Sequence, residues 1–308
     1  MKILVGSPVR KSNEIVSAFL RGLVAADKGD CEFTYFFVDD NIDTRSSELL
    51  RDFAENNDVI IKKGTEIQNE LKLSFEDFGD EDHRLWRSDT LLKITAYKDY
   101  IIDYCIAKKF DYLFLIDSDI VLDSRAIMQL LSRDVEICAE VFYSQWQHNG
   151  KLTPQCFWIP GVFDQESDFN VHITGEEAMR VISEMHAKLR EPGLHPVDGT
   201  GACTMIKRSA LEKGCRFEPV FNLSVPGEDR PFCIRAGVAG IQLYMDTVCP
   251  CYHIAKEKYL DRVDEFMREG FKFDMCCEYE PEEKKRKLNL IEKFILRCAK
   301  KIVRELTV

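Results

Sequence analysis

The sequence predicts an α/β fold with a mainly parallel central sheet, helices on both faces and a helical extension at the C-terminus. Strand-like and helix-like segments alternate through the first half, and the longest apolar run there ends abruptly in two carboxylates. A hydrophobic content of 45% over 308 residues is also enough to bury a substantial core.

In chain order, "KILVG" (Lys2 to Gly6) reads as a strand, Asn13 to Ala26 as a helix, "CEFTYFFV" as a strand, Thr44 to Glu55 as a helix and "DVIIKK" as a short strand. That βαβα order predicts right-handed crossovers and parallel pairing. The acidic "FEDFGDEDH" is a polar loop, and a long helix from about Leu85 to Lys109 follows it. Leu91, Thr95, Ile102 and Ile106 make a core-facing stripe on that helix, and Lys98 falls within it. Lys98 is either a lysine snorkelling from the stripe's edge or a cation aimed at a buried anion.

"YLFLI" (Tyr112 to Ile116) reads as a strand buried on both faces, and it runs straight into Asp117 and Asp119. "VEICAEVFY" is a further strand, Gly175 to Leu189 a helix, "ACTMI" a strand, and "GEDRPFCIRAG" a short helix. "IQLYM" and "VCPCYHI" read as two strands that close the compact part of the chain. The expected division is a domain over residues 1–256 and an amphipathic helical extension over 257–308. Two helices are expected in that extension, Glu257 to Glu269 and Glu282 to Leu306. The second carries an apolar stripe (Leu288, Ile291, Ile295, Ile302, Leu306) flanked by lysines and arginines. It suits packing on the domain, a homodimer contact, or peripheral attachment to an anionic membrane.

Charge is unevenly spread. The net charge is −11, yet Lys284 to Val308 holds nine Lys/Arg against two Glu, which leaves −18 on residues 1–283. An acidic body argues against nucleic acid as a partner and suits a protein that recruits a divalent cation to an anionic ligand. The chain has no run of eighteen apolar residues, and "MKILVGSPVR" meets charge and proline too early for a signal peptide. The expected location is cytoplasmic, extending to the inner face of the membrane if the basic helix binds there. The twelve cysteines lie at irregular spacings, and neither "CPC" nor the pair Cys276 and Cys277 belongs to a CxxC…CxxC framework. Reduced, mostly buried thiols are expected.

Two carboxylates at the end of a buried strand must be paired, protonated or holding a metal. Asp117 and Asp119 are two apart and converge at the ligand-binding edge of a parallel sheet, where Mg²⁺ or Mn²⁺ could bridge them to a diphosphate. Ser118 between them is small enough for a ligand to approach the backbone. "DSDIV" also fits the first motif of haloacid-dehalogenase-like phosphatases, although "GEDRPF" lacks the second Asp their later motif needs. Glu228 and Asp229 precede Pro231, so both should sit at a helix N-terminus, whose dipole favours an ionised carboxylate base. A capping role for Glu228 stays open. His253, at the end of the last strand, could complete a metal's ligand set.

Taken together, "ILVGSPVR", "VDD", "FDYLFLIDSDIVL", "GTGACTMIKRSAL", "GEDRPFCIRAG" and "PCYHI" resemble the GT-A-fold glycosyltransferases, especially bacterial members similar to glycosyltransferase family 2. The likeness covers about residues 1–256 and implies a Rossmann-like GT-A sheet binding a nucleotide-sugar donor, with a UDP-sugar favoured and a GDP-sugar as alternative. By position, Ser7, Pro8, Val9 and Arg10 match the loop receiving base and ribose, and Asp39 the carboxylate contacting the base. Asp117 and Asp119 match the metal-binding DxD, with Asp119 as direct ligand and Asp117 nearer the ribose, and Ser118 lies within it. His253 matches the late metal ligand, Lys98 could contact phosphate, and Gly199, Thr200 and Gly201 match the loop lining the sugar. Asp229, beside Glu228, matches the carboxylate that deprotonates the acceptor in inverting members. No Q-x-x-R-W motif follows His253, so the resemblance implies transfer of one sugar rather than polymer synthesis. Trp146, Trp158 and the acidic loop Asp77 to Asp82 are candidates for the cleft of an unknown acceptor, whether glycan, lipid-linked or peptide. A non-catalytic sugar-nucleotide-binding module is the rival from another class.

Overall fold

The computed structural model describes residues 1–75, 88–144, 153–154, 157–158, 175–221 and 227–276. The chain runs β1 (Lys2–Val9), α1 (Asn13–Ala25), β2 (Glu32–Asp39), α2 (Thr44–Ala54), β3 (Val59–Lys63), α3 (Gly64–Leu71), α4 (Ser88–Ala107), β4 (Tyr112–Ile116), β5 (Ile120–Val121), α5 (Ala126–Ser132) and β6 (Ile137–Ser144). There follow β7 (Thr153–Pro154), β8 (Phe157–Trp158), α6 (Gly175–Lys188), β9 (Leu194–Val197), β10 (Gly199–Thr200), β11 (Cys203–Lys207), α7 (Arg208–Glu212), α8 (Asp229–Val238) and β12 (Leu243–His253). A 3₁₀ turn (Glu257–Arg262), α9 (Val263–Glu269) and a second 3₁₀ turn (Phe273–Cys276) complete the described chain.

The main sheet has the order β3-β2-β1-β4-β11-β6-β12-β5, with β7 beside β6 and β9 beside β12. β3, β2, β1 and β4 pair in parallel; β11 is antiparallel to β4 and to β6; β6 and β12 are again parallel. The α/β class read from the sequence, a central sheet flanked by helices, is therefore the one found, but the sheet is mixed: β3, β2, β1 and β4 make a parallel block, while the reversed β11 and the short β5, β7 and β9 pair antiparallel to their neighbours. It places the C-terminal ends of β1, β2, β4, β6 and β12, and the N-terminal end of the reversed β11, along one edge of the sheet.

Both faces of the sheet are covered, which is why β4 reads as an unbroken apolar run. Ile3 and Val5 of β1 and Phe114 and Ile116 of β4 pack with Val16, Phe19 and Leu23 of α1 and Leu50 and Phe53 of α2. Their neighbours Leu4, Leu113 and Leu115 pack on the other face with Tyr97, Ile101, Ile102 and Cys105 of α4 and Phe232 of α8. Eight described cysteines are free thiols and seven of them are buried, as their spacing suggested.

Two expectations are corrected here. "IQLYM" and "VCPCYHI" form one strand, β12, whose register against β6 shifts between Asp246 and Cys251. Pro250 lies in that interval and has no N–H for a ladder bond, so the irregularity that resembles a strand break is a bulge. The segment Glu257 to Glu269 is a 3₁₀ turn followed by a short helix, and it does not extend away from the domain. Tyr259, Val263, Phe266 and Met275 join the core around β12, so packing continues past the boundary expected at residue 256. The basic helix expected over 282–306 and the acidic loop Asp77 to Asp82 lie outside the described residues.

Candidate functional site

Asp119 follows β4 and His253 ends β12, and the two meet at the shared edge because β5, just after Asp119, pairs antiparallel with β12 (His253 opposite Ile120). His253 Nε2 lies 3.6 Å from Asp119 Oδ2, close enough for one cation to hold both. On its other side, His253 Nδ1 is hydrogen-bonded to Ser144 Oγ at the end of β6, which orients the ring and leaves Nε2 facing Asp119. Lys11 Nζ stands 2.8 Å from the same Asp119 Oδ2. Burial would raise the Asp119 carboxyl, but Lys11 and His253 outweigh it and hold it well below the usual carboxylate range. Among the described residues no three His, Cys, Asp or Glu side chains form a ready-made metal cage. An aspartate with an oriented imidazole fits Mn²⁺ or Mg²⁺ taking its remaining ligands from phosphate and water.

Asp117, the other half of the DxD pair, turns toward Lys98 instead, with Oδ1 3.6 Å from Nζ. Lys98 sits at the centre of the buried face of α4, 1% exposed, and also contacts Glu228 Oε1 at 2.8 Å and Asp229 Oδ1 at 3.2 Å. Lys98 does not snorkel from the stripe's edge: its ammonium points inward, and the anions it meets are the protein's own carboxylates rather than a phosphate. Burial opposes its charge, yet the three carboxylates keep it firmly protonated. Glu228 occupies the N-cap position of α8 but its side chain caps nothing; it is spent on Lys98.

Asp229 opens α8. Its place at the helix N-terminus led to the expectation of a readily ionised carboxylate, and the surroundings reverse that. Burial, reinforced by Glu228 and Asp117 and opposed by Lys98, pushes its carboxyl up to about 7, and burial likewise raises Asp117 to about 6. Gly201 is required beside it, since a Cβ there would come within 2.2 Å of Asp229 Oδ2. The following Ala202 holds a left-handed φ of 57°, and Cys203 N–H donates back to the Gly201 carbonyl at 2.6 Å, a tight turn that aims this loop at the carboxylates. Lys98, Asp117, Asp229 and Thr204 line a cavity of about 10 Å³, the size of one water. Gly199 and Thr200 form β10, which pairs with Trp158 and Phe157 of β8, and Ser118 is buried beside Asp117.

At the ends of β1 and β2 the carry-over is partly redistributed. Ser7, Pro8 and Val9 are strand residues, not loop, and Ser7 and Val9 are wholly buried, which leaves Pro8 and Arg10 on the accessible side. Asp39 is buried and held by Lys63 Nζ at 2.5 Å, Ser47 Oγ at 2.9 Å and the Asn41 side-chain amide at 2.9 Å. Burial works against its charge but those partners lower it overall. Its neighbour Asp40 faces the edge and collects Arg10 at 3.1 Å, Lys93 at 2.8 Å and the Tyr97 hydroxyl at 3.0 Å.

Lys11, Asp40, Lys93 and Ser144 were not singled out from the sequence. The i, i+4 spacing of Lys93 and Tyr97 on a largely apolar helix was a usable signal, as was the doubled aspartate in "VDD". Ser144 carried none. Trp146 and the loop Asp77 to Asp82 lie outside the described residues, and of Trp158 only the strand is described.

An open α/β sheet with its acidic and basic side chains gathered beyond one row of strand ends is the class of protein this fold and edge define. Solved structures similar to it include S. aureus TarS 1-349 in complex with UDP-GlcNAc, at 11% identity over 82% of this chain and 58% of that one, with a TM-score of 0.45. S. aureus TarS is similar at 9% identity over 89% of this chain and 44% of that one, with a TM-score of 0.47. The complex of TarS 1-349 with UDP shows 11% identity over 85% of this chain and 69% of that one, with a TM-score of 0.45. This chain thus spans less than two thirds of the length of the first two. No protein family profile matches the sequence, and no curated protein does. Among the described residues no helix is long and apolar enough to cross a membrane.

Proposed function

We propose that the protein is a metal-dependent glycosyltransferase that moves a single sugar from a nucleotide-diphosphate donor to an acceptor hydroxyl with inversion. What supports the reading is the division of labour among the carboxylates at one sheet edge. Asp119 is paired with the oriented His253, while Asp229 belongs to a second cluster, gathered with Glu228 and Asp117 on Lys98. Inverting transfer needs these two separate functions, one to anchor the leaving diphosphate and one to take the acceptor's proton.

A divalent cation held by Asp119 and His253 would supply Lewis-acid stabilisation of charge on the leaving phosphate. Asp229 takes the proton of the attacking hydroxyl, and a carboxyl near 7 is matched to that task at neutral pH. Lys98 fixes the direction of Asp229, and Gly201 leaves room for that carboxylate beside the sugar-lining loop. Arg10 and Lys93, gathered on Asp40, present cations where the nucleotide enters, and a UDP-sugar is the first donor to try, with a GDP-sugar next. The acceptor is a glycan, a lipid-linked sugar or a peptide, met at the cytoplasmic face. The basic C-terminal segment gives contact with a membrane or a second copy.

Donor hydrolysis measured with and without Mn²⁺, for wild type and Asp119→Ala, tests the reading. Metal-stimulated turnover lost in the variant is expected, and equal rates in all four conditions would sink it. One observation favours a rival: Lys98 satisfies both Glu228 and Asp229, as a purely structural network in a sugar-nucleotide-binding module would. Asp229→Asn separates the two, since an enzyme keeps donor binding and loses transfer.

A further inference from the structure

Lys11 and His253 approach the same oxygen of Asp119, at 2.8 and 3.6 Å. A divalent cation lying between Asp119 Oδ2 and His253 Nε2 would therefore share an oxygen that an ammonium already holds. The backbone of Lys11 is fixed on both sides, its N–H donating to Asn41 Oδ1 at 3.0 Å and its carbonyl accepting from Ser46 Oγ at 2.9 Å. Its side chain is a flexible four-carbon stem, 29% exposed, so the ammonium can move while the Cα stays. Lys11 also directly follows Arg10, whose guanidinium is held on Asp40 at the same strand-end edge.

We propose that Lys11 is an exchangeable internal cation: it holds Asp119 in the free protein, yields that carboxylate to the entering divalent cation, and then pairs with an oxygen of the donor's diphosphate. This rests on the glycosyl-transfer reading of the site. The exchange has two consequences of opposite sign. The ammonium weakens binding of the bare cation, because the cation must displace it from Asp119. It strengthens binding of the cation together with a diphosphate, because the released ammonium gains a new anion. Like-charge repulsion sets the two occupants of Asp119 against each other, so free protein is biased against metal until a diphosphate is present.

The test is Mn²⁺ binding, followed by the electron paramagnetic resonance signal of free Mn²⁺, in the full chain with and without inorganic pyrophosphate, which removes any dependence on the base. Lys11→Met should bind Mn²⁺ alone about tenfold more tightly than wild type and lose about tenfold in pyrophosphate affinity when Mn²⁺ is present, a reversal no merely structural role produces. Lys11→Arg, which keeps the cation, should resemble wild type in both. Metal binding detectable only in Lys11→Met supports the exchange, with the ammonium excluding the cation outright. Equal Mn²⁺ affinity in wild type and Lys11→Met overturns the exchange while leaving the metal site intact. No Mn²⁺ binding in either protein, with or without pyrophosphate, overturns both the exchange and the metal-dependent reading beneath it.

Discussion

At the residue scale, Glu140, away from the strand-end edge, shows what burial does to a carboxylate. Glu140 of β6 is fully buried, one of its oxygens has no hydrogen-bond partner, and the other accepts only a 3.2 Å bond from Cys249 N–H. Burial, reinforced by Cys251 and Asp246, raises its carboxyl well above the ordinary value. The folded state therefore keeps a proton that the unfolded chain releases above about 4.5, so stability falls as pH rises from there toward the folded value, by about 1.4 kcal/mol per pH unit. Glu140→Gln removes the proton but keeps an acceptor for Cys249. Urea unfolding midpoints of the two proteins should nearly coincide at pH 5 and separate in favour of Glu140→Gln by pH 8; parallel pH profiles would show that Glu140 is ionised in the fold.

At the scale of elements, Lys98 ties α4 to the start of α8 and to the end of β4. Replacing it by methionine keeps the stem and removes the charge, so Asp117, Glu228 and Asp229 lose their buried counter-ion. Lys98→Met should lower stability by about 3–5 kcal/mol, read from urea unfolding at pH 7.5. A variant of unchanged midpoint would mean that the carboxylates had taken up protons at no cost. This element-level role was half legible in the sequence. The stripe on α4 located Lys98 on the core face, because helical periodicity follows from spacing alone. Its hydrogen-bonded partners Glu228 and Asp229 lie 130 and 131 residues away, where spacing says nothing. Asp119 and His253 were readable for another reason: each directly ends or follows a strand, and parallel strands deliver such residues to a common edge. Lys11 and Ser144 meet them only through side-chain reach across neighbouring strand ends. Asp39 is the last residue of β2 and turns inward, whereas Asp40 is the first residue past it and faces the edge, and which aspartate closes the strand could not be assigned without the register of β2.

At the scale of the whole molecule, the same limit applies to the packing of residues 257–276. Residues 257–269 carry charge and a modest apolar pattern that reads as a separate amphipathic helix, and their packing was visible only once β12 was in place. Tyr252 of β12 stacks on Phe266 with ring centroids 5.4 Å apart, and its hydroxyl donates to the Tyr259 carbonyl at 2.7 Å. Asp264 bonds Arg21 of α1 across the surface, and Phe271 stacks on Tyr143 at 5.2 Å near the end of β6. This segment therefore braces the two strands, β6 and β12, that deliver Ser144 and His253 to the edge. Tyr259, Val263, Phe266 and Met275 are each at least nine-tenths buried, and at about 1.5–3 kcal/mol for each such side chain their combined burial rivals the roughly 5–15 kcal/mol net stability of a whole domain. A chain ending at residue 256 should lose most of the stability of one ending at residue 276. The comparison is made by urea denaturation followed by far-ultraviolet circular dichroism. A stable, cooperative 1–256 fragment would instead restore the boundary drawn from the sequence and make residues 257–276 an appendage of the sheet, with no part in holding its active edge together.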